Sequence, residues 1–223
     1  MINILMSRSS ALTSAFAKTK LNTLLKPTMS VVIIGFSFFG KLDEEEYGLE
    51  YGLNSEYDQK LKLNFSEYGI EDVKWVYYYG QTVDEQIKLI ENADILYFPG
   101  GAPDLMYQRI KDKGLLDVLR TFEKIVIGSS AGAMIQLKNY HISKDNEYFK
   151  YSMNEGLGYI DDFFVEVHFR RRNKQKSSMR RVRKTYQKPI YTIPDDGMLV
   201  VEDKTVTTLG SAKLYYTKKG INK

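Results

Sequence analysis

The sequence predicts an α/β fold with a mostly parallel sheet covered by helices on both faces and an antiparallel C-terminal extension. Over the first 130 residues, short apolar runs typical of buried strands alternate with helical patterns, as in a parallel sheet. After Phe163 the pattern changes, and short strands follow one another with few helices between them. The first observation predicts the sheet, and the second predicts the extension.

The predicted elements follow in order along the chain. Strands are expected at Ile2 to Met6, Ser30 to Gly35, Val73 to Tyr79, Ile95 to Phe98 and Ile125 to Ile127. Helices are expected at Asp58 to Tyr68, ending at Gly69, at Asp84 to Glu91, and at Leu105 to Phe122 with a break near Gly114. The acidic stretch from Asp43 to Gly52 is expected to be an exposed loop or an insertion. The late strands lie in FFVEVHF, YTI, MLVV, TVTTL and KLYYT.

Composition limits the class of protein. With 223 residues, 43% hydrophobic and 27% charged, residues 1–223 are expected to form a single globular domain. The absence of cysteine excludes disulfides, thiolate metal sites and a cysteine nucleophile, and with only two histidines a structural zinc site is not expected. No run approaches the roughly 18 apolar residues of a membrane span, and the opening MINILMSRSS is too short for a secretory signal. A cytoplasmic protein is therefore expected.

Two strands end in glycine-containing corners, at the edge where parallel sheets bind ligands. Ile125 to Ile127 is followed by Gly-Ser-Ser-Ala-Gly, a G-x-S-x-G nucleophile elbow in which Ser130 is the serine. Ile95 to Phe98 is followed by Pro-Gly-Gly-Ala, whose backbone N–H groups could face a developing oxyanion. Both patterns are common by themselves: Ser130 could cap the following helix, and Gly-Gly could form an ordinary turn.

A serine nucleophile also requires a base. His141 lies eleven residues beyond Ser130, which is about 16 Å on a continuous helix, so it could reach the serine only if the chain doubled back. His168 closes a predicted strand and is free to lie at the sheet edge. By elimination His168 is the candidate base, although a solvent-exposed histidine at a strand end is the alternative.

Four motifs follow one another along the chain: YFPGGAPDLMYQRI, IVIGSSAGAM, VEVHFRRR and IPDDGMLVV. With these motifs in this order, the chain resembles the dipeptidase E and cyanophycinase family of serine peptidases over roughly Ile95 to Val201. The resemblance implies a three-layer α/β/α sandwich similar to class I glutamine amidotransferases. It also implies hydrolysis of short peptides with an N-terminal or β-linked aspartate, without metal or cofactor. A small peptide is thus the expected partner, neither a membrane nor nucleic acid is expected, and a homodimer is left open.

The resemblance assigns roles residue by residue. Ser130 matches the nucleophile, His168 the general base, and Gly101 and Ala131 the two oxyanion-hole donors. Asp195 falls where the family usually has glutamate as the third member of the triad. The identity of the third triad member stays open, because Asp196 is adjacent to Asp195 and Glu166 and Asp145 are further alternatives.

The arginines after the proposed base are candidates for substrate binding. A substrate side-chain carboxylate would need a cation on leaving water. Alternation along an extended chain would place Arg170 and Arg172 on the same side as His168, and arginine can hold a carboxylate with two hydrogen bonds. The later Arg180, Arg181 and Arg183 could serve instead.

Three other functions compete with a peptidase. An α/β-hydrolase esterase would use Ser130, Asp161 or Asp162, and His168, but such enzymes keep the histidine near the chain end. Ten lysines and arginines without an acidic residue lie from Arg170 to Lys188, a run that could contact phosphates of a nucleic acid. A catalytically inactive binding relative is the third alternative.

Overall fold

The computed structural model describes residues 1–217, and a seven-stranded sheet forms its centre. The strand order is β11-β10-β1-β5-β4-β2-β3, in which β1 to β5 are parallel and β10 and β11 run antiparallel to their neighbours. This confirms the predicted fold class and its antiparallel extension. The strands are β1 (Ile2–Met6), β2 (Val31–Ile34), β3 (Val73–Val76), β4 (Ile95–Phe98), β5 (Ile125–Ser129), β10 (Gly197–Glu202) and β11 (Thr205–Gly210).

The helices cover both faces of this sheet, because successive strand residues point to opposite sides. Ile33 of β2 packs in one apolar cluster with Leu61 and Phe65, whereas its neighbour Val32 packs in another with Ile90. The helices are α1 (Ala15–Leu21), α2 (Glu44–Tyr51), α3 (Glu56–Ser66), α4 (Val83–Asn92), α5 (Pro103–Asp112), α6 (Leu116–Arg120), α7 (Ala131–Met134) and α8 (Asn173–Tyr186), and a short 3₁₀ helix spans Ser9–Thr13.

Two smaller sheets lie beside the central one. A two-stranded sheet pairs β6 (Asn139–Ile142) with β7 (Ser152–Glu155). A three-stranded sheet has the order β12-β9-β8, from β8 (Phe164–Val167), β9 (Ile190–Ile193) and β12 (Lys213–Tyr216). Here β9 is antiparallel to β12 but parallel to β8, so this part of the extension is mixed.

The segment from Asp43 to Gly52 is helical, and its prediction as an exposed loop is wrong. Asp43 and Glu46 form a capping box: the Asp43 carboxylate accepts from the Glu46 N–H at 2.9 Å, and the Asp43 N–H donates to the Glu46 carboxylate at 3.0 Å. Tyr47 and Tyr51 are buried on the inner face of α2. Paired capping hydrogen bonds and two buried rings stabilise a helix that apolar periodicity alone does not reveal.

The basic run from Arg170 to Lys188 contains α8, whereas the sequence predicts few helices in this region. Gln175, Ser178, Met179 and Val182 are buried at the i, i+3, i+4, i+7 spacing of one helix face. Because only two of these four residues are apolar, the face is hard to recognise in the sequence. Among the described residues, no helix is both long and apolar enough to cross a membrane.

Candidate active site

Ser130 lies at the sharp corner between β5 and α7. Its backbone has φ 50° and ψ −110°, which a non-glycine residue rarely adopts. The Ser130 N–H donates to the Met6 carbonyl oxygen at 2.8 Å, which fixes the corner to the end of β1. The Ser130 side chain makes no capping hydrogen bond to α7, so the helix-cap interpretation of this serine is not supported by the structure.

The glycines on either side of Ser130 are required by close packing. A Cβ atom on Gly128 would overlap the carbonyl oxygen of Gly132, and a Cβ atom on Gly132 would overlap the carbonyl oxygen of Phe98. The short helix α7 therefore approaches β4 and β5 more closely than any side chain permits. This is the physical reason for the G-x-S-x-G pattern here.

His168 lies between Ser130 and Asp195. Its Nε2 atom is 2.9 Å from the Ser130 Oγ atom, and its Nδ1 atom is 2.7 Å from Asp195 Oδ1. The His168 N–H donates to Ser7 Oγ at 2.8 Å, and the Ser7 hydroxyl donates to the Ile193 carbonyl at 2.6 Å. Ser7 thus joins the ends of β1, β8 and β9 and holds the histidine at the sheet edge.

Two arginines bind the Asp195 carboxylate from the side opposite His168. Arg170 Nη2 donates to Asp195 Oδ2 at 2.8 Å, and Arg8 Nε lies 3.2 Å from the same oxygen. Partial burial opposes ionisation of this carboxyl, but hydrogen bonds from His168, Arg170 and Arg8 outweigh it and lower the pKa of Asp195 to about 2. Asp195 is therefore ionised at neutral pH.

The other acidic candidates contact different partners. The Asp196 carboxylate accepts from the Ser211 hydroxyl, and Asp145 Oδ1 accepts from the N–H groups of Glu147 and Tyr148 at 2.9 and 2.7 Å. Asp161 pairs with Lys138 and Lys188 rather than with His168. Among Asp195, Asp196, Asp145, Asp161 and Glu166, the structure places Asp195 against the His168 ring.

The second glycine corner lies beside the serine. A Cβ atom on Gly100 would be 3.4 Å from the Ser130 Cβ, and Gly101 has a φ of 138°. Ser37 holds this corner, because its hydroxyl donates to the Gly100 carbonyl at 2.8 Å and its carbonyl accepts from the Ala102 N–H at 2.7 Å. The assignment of the Gly101 and Ala131 N–H groups to an oxyanion hole stays a prediction.

Arg109 is a supporting residue that sequence reasoning missed. Its guanidinium is largely buried and donates to the carbonyl groups of Phe36, Phe38 and Gly40 at 2.8, 2.6 and 2.6 Å. These bonds hold the loop after β2, which carries Ser37. The side chain lies on α5, far from Ser37 in sequence, so no local pattern could have predicted the connection.

Two cavities meet at Ser130. One, of about 590 Å³, extends from Ser130, Gly101 and His168 along β6, β8 and the start of α8, and both Arg170 and Arg172 line it. The other, of about 700 Å³, lies on the side of α2 and α3. Arg172 is exposed, whereas the Arg170 guanidinium is bound to Asp195.

His141 also lines the first cavity, where it forms a second histidine–carboxylate pair. No continuous helix carries His141 away from Ser130, since α7 ends at Met134 and β6 begins at Asn139, and both residues line this cavity. His141 Nε2 nevertheless lies 2.6 Å from Glu166 Oε2 instead of contacting Ser130. The two residues are 25 positions apart and meet only through tertiary packing, so no spacing in the sequence could have predicted the pair.

A family profile and two solved structures that this chain resembles are those of peptidases. A profile of peptidase family S51 matches residues 51–209. A putative peptidase E protein from Listeria monocytogenes EGD-e superposes with a TM-score of 0.63 at 20% identity, over 93% of this chain and 96% of its own. A peptidase from an acI-B1 Actinobacterium gives a TM-score of 0.61 at 18% identity, over 96% and 89%. No match to a curated protein was found.

Proposed function

The chain belongs to peptidase family S51 and is a serine peptidase, and on this basis we propose that it hydrolyses short peptides through Ser130, His168 and Asp195. The observation that carries the proposal is the continuous contact from the Ser130 hydroxyl through the His168 ring to the Asp195 carboxylate, at 2.9 and 2.7 Å. A triad is defined by such geometry and not by the order of its members in the chain.

In the proposed reaction His168 Nε2 accepts the Ser130 proton while Oγ attacks the peptide carbonyl. The negative charge that develops on the carbonyl oxygen is held by the N–H groups of Gly101 and Ala131, each worth roughly 3 kcal/mol in the transition state. His168 then gives its proton to the leaving amine, which departs with the C–N bond electrons. Water, deprotonated by His168, hydrolyses the acyl-serine.

Asp195 keeps His168 in the form that this reaction needs. With the Nδ1 proton held by Asp195 Oδ1, the Nε2 atom carries the lone pair that faces the serine. The carboxylate also stabilises the imidazolium that forms after proton transfer. Arg8 and Arg170 keep the carboxylate ionised and fix its plane.

The proposed substrates carry an N-terminal or β-linked aspartate. Lys144, Arg172 and Lys174 line the first cavity, and among the described residues none of them forms an ion pair with a carboxylate. A substrate carboxylate that leaves water in this cavity would find one of these cations. Arg170 is less available for this role because Asp195 already occupies its guanidinium.

Two experiments test the proposal. A fluorophosphonate probe should label Ser130 and not Ser129, and Ser130→Ala should remove both labelling and turnover. Stoichiometric labelling that survives Ser130→Ala would refute the nucleophile. A dipeptide panel should then show Asp-Leu hydrolysed faster than Ala-Leu, while equal rates would refute the acidic-substrate pocket and leave the nucleophile standing.

A further inference from the structure

Three polar side chains form a cluster in the wall of the 590 Å³ cavity: His141, Ser143 and Glu166. His141 and Glu166 are almost fully enclosed, with side chains 1% and 5% exposed. Glu166 Oε2 is 2.6 Å from His141 Nε2 and accepts from the Ser143 hydroxyl at 2.9 Å. The reaction proposed above uses none of these three residues.

Hydrogen bonding leaves one oxygen of Glu166 free. Both contacts within the cluster go to Oε2, and Oε1 has no hydrogen-bond partner among the described residues. His141 Nδ1 is buried and also has no partner there. The Glu166 carboxylate therefore keeps one oxygen that can accept a further hydrogen bond.

No lysine or arginine of the described chain pairs with that carboxylate. The lysines and arginines that line the same cavity, Lys144, Arg170, Arg172 and Lys174, form no ion pair with Glu166 in residues 1–217. A buried carboxylate with a free oxygen in a cavity wall favours a ligand group that combines N–H donors with a positive charge, because charge-assisted hydrogen bonds are stronger than neutral ones.

We propose that Glu166 binds the α-ammonium group of the substrate's first residue, an inference that rests on the proposed function. Glu166 lies two positions before His168, so its Cα atom is within about 7 Å of that of the base. The α-nitrogen of a peptide lies two bonds from the carbonyl carbon that Ser130 attacks. The ammonium group of an amino-terminal residue can therefore lie at Glu166 while its carbonyl carbon lies at Ser130.

The assignment gives the two cavities different roles. The first residue, with its free ammonium, occupies the 590 Å³ cavity, and the leaving part extends into the cavity beside α2 and α3. A buried carboxylate beneath a rim of lysines and arginines suits a residue that carries both an ammonium and a carboxylate. The protein then prefers peptides with a free amino terminus to those whose terminus is blocked.

The test uses the dipeptide of the panel that is hydrolysed fastest and its N-acetyl derivative. Unmodified protein should prefer the free amine, and Glu166→Gln should lower kcat/KM for it by roughly 10- to 100-fold, mainly through KM. Glu166→Gln should leave the N-acetyl substrate and fluorophosphonate labelling unchanged. An equal loss on both substrates, or an unchanged preference, would overturn the proposal.

Matched variants exclude simpler explanations. Glu147→Gln removes an exposed carboxylate of the same cavity rim and should keep the preference for the free amine. If the preference disappears in Asp145→Asn instead, the ammonium binds at the rim and the proposal is wrong. Loss of labelling after Ser130→Ala is independent of Glu166, so failure of this inference is distinguishable from failure of the proposed function.

A measurement on the unmodified protein covers the case in which Glu166→Gln does not fold. The free amino acid that corresponds to the best first residue should slow fluorophosphonate labelling of Ser130, because its ammonium occupies the cavity. The N-acetyl form of the same amino acid should not. Equal protection by both would contradict an ammonium site.

Discussion

The histidines of two histidine–carboxylate pairs line one cavity, and each pair has a serine beside it. In the first pair, Ser130 contacts the His168 ring on the side away from Asp195. In the second, Ser143 contacts the Glu166 carboxylate, and the remaining nitrogen of His141 has no described partner. Both groups thus contain a serine, a histidine and a carboxylate, but the serine contacts the histidine in the first and the carboxylate in the second.

The order of contact decides what each serine can do. A serine whose hydroxyl meets a histidine lone pair can lose its proton as it attacks. A serine that donates to a carboxylate only stabilises that carboxylate. Exposure differs too, since the His168 side chain is 39% exposed and the His141 side chain 1%. Side-chain composition alone therefore does not identify an active site.

Substitution of His168 or His141 by alanine should give the largest difference between the two pairs. His168→Ala should lower kcat by roughly 10⁵-fold, because it removes the only base in contact with Ser130 among the described residues. His141→Ala should keep fluorophosphonate labelling and lower the free energy of unfolding by about 1–3 kcal/mol, since Glu166 loses a buried hydrogen bond. Steady-state kinetics and urea unfolding measure both effects. Loss of labelling in His141→Ala would contradict the comparison.

The carboxylate of the first pair should matter next. Asp195→Asn should lower kcat by about 10⁴-fold, because the amide favours the wrong histidine tautomer. Asp196→Asn is the matched control and should change kcat little, since that side chain contacts Ser211. If only Asp196→Asn lowers kcat, the third member of the triad is the neighbouring residue.

Substitution of Arg170 and of Arg172 distinguishes support of the Asp195 carboxylate from binding of the substrate. Arg170→Ala should lower kcat about tenfold with a small change in KM, because it removes one of the two arginines that bind Asp195 Oδ2. Arg172→Ala should raise KM for aspartyl substrates and leave kcat and serine labelling unchanged. Measurement of kcat and KM on one dipeptide separates the two roles. Identical kinetic effects of both substitutions would rule this division out.

The smallest expected effect is on stability in acid. The pKa of Asp195 is about 2 in the folded protein and near 3.9 in an unfolded chain, so its interactions stabilise the fold fully above about pH 4. This contribution disappears as the pH falls through 2. The difference in unfolding free energy between the unmodified protein and Asp195→Asn should therefore shrink between pH 5 and pH 2. A difference independent of pH would show that the folded carboxyl has an ordinary pKa.

Much of the fold could be predicted because the central strands are short apolar runs separated by clear breaks. β1 and β4 have the predicted bounds, and β5 begins at the predicted residue but continues two residues further, to Ser129. The helices α2 and α8 were missed because capping groups and buried polar side chains define them more than apolar periodicity does. The sequence contains both signals, but they are weak without knowledge of what the helices cover.

Some parts of the site could likewise be predicted from the sequence, and others could not. Ser130 and His168 follow strands whose carboxyl ends share one edge, so their proximity could be expected from topology and from the resemblance. The choice between Asp195 and Asp196 could not, because it depends on which side of one turn faces the ring. The pairing of His141 with Glu166 depends on the packing of β6 against β8, which no local pattern encodes.

The strained backbone conformation of Ser130 affects which substitutions natural selection would keep at this position. Its φ of 50° and ψ of −110° cost of order 1–3 kcal/mol for any residue with a Cβ atom. Ser130→Gly removes that cost together with the hydroxyl, so we expect the variant to be inactive but to unfold at a higher temperature than the unmodified protein. A chain released from the need to hydrolyse peptides would gain stability by losing its nucleophile. Relatives that carry glycine at this corner would then be recognisable as proteins kept for another purpose.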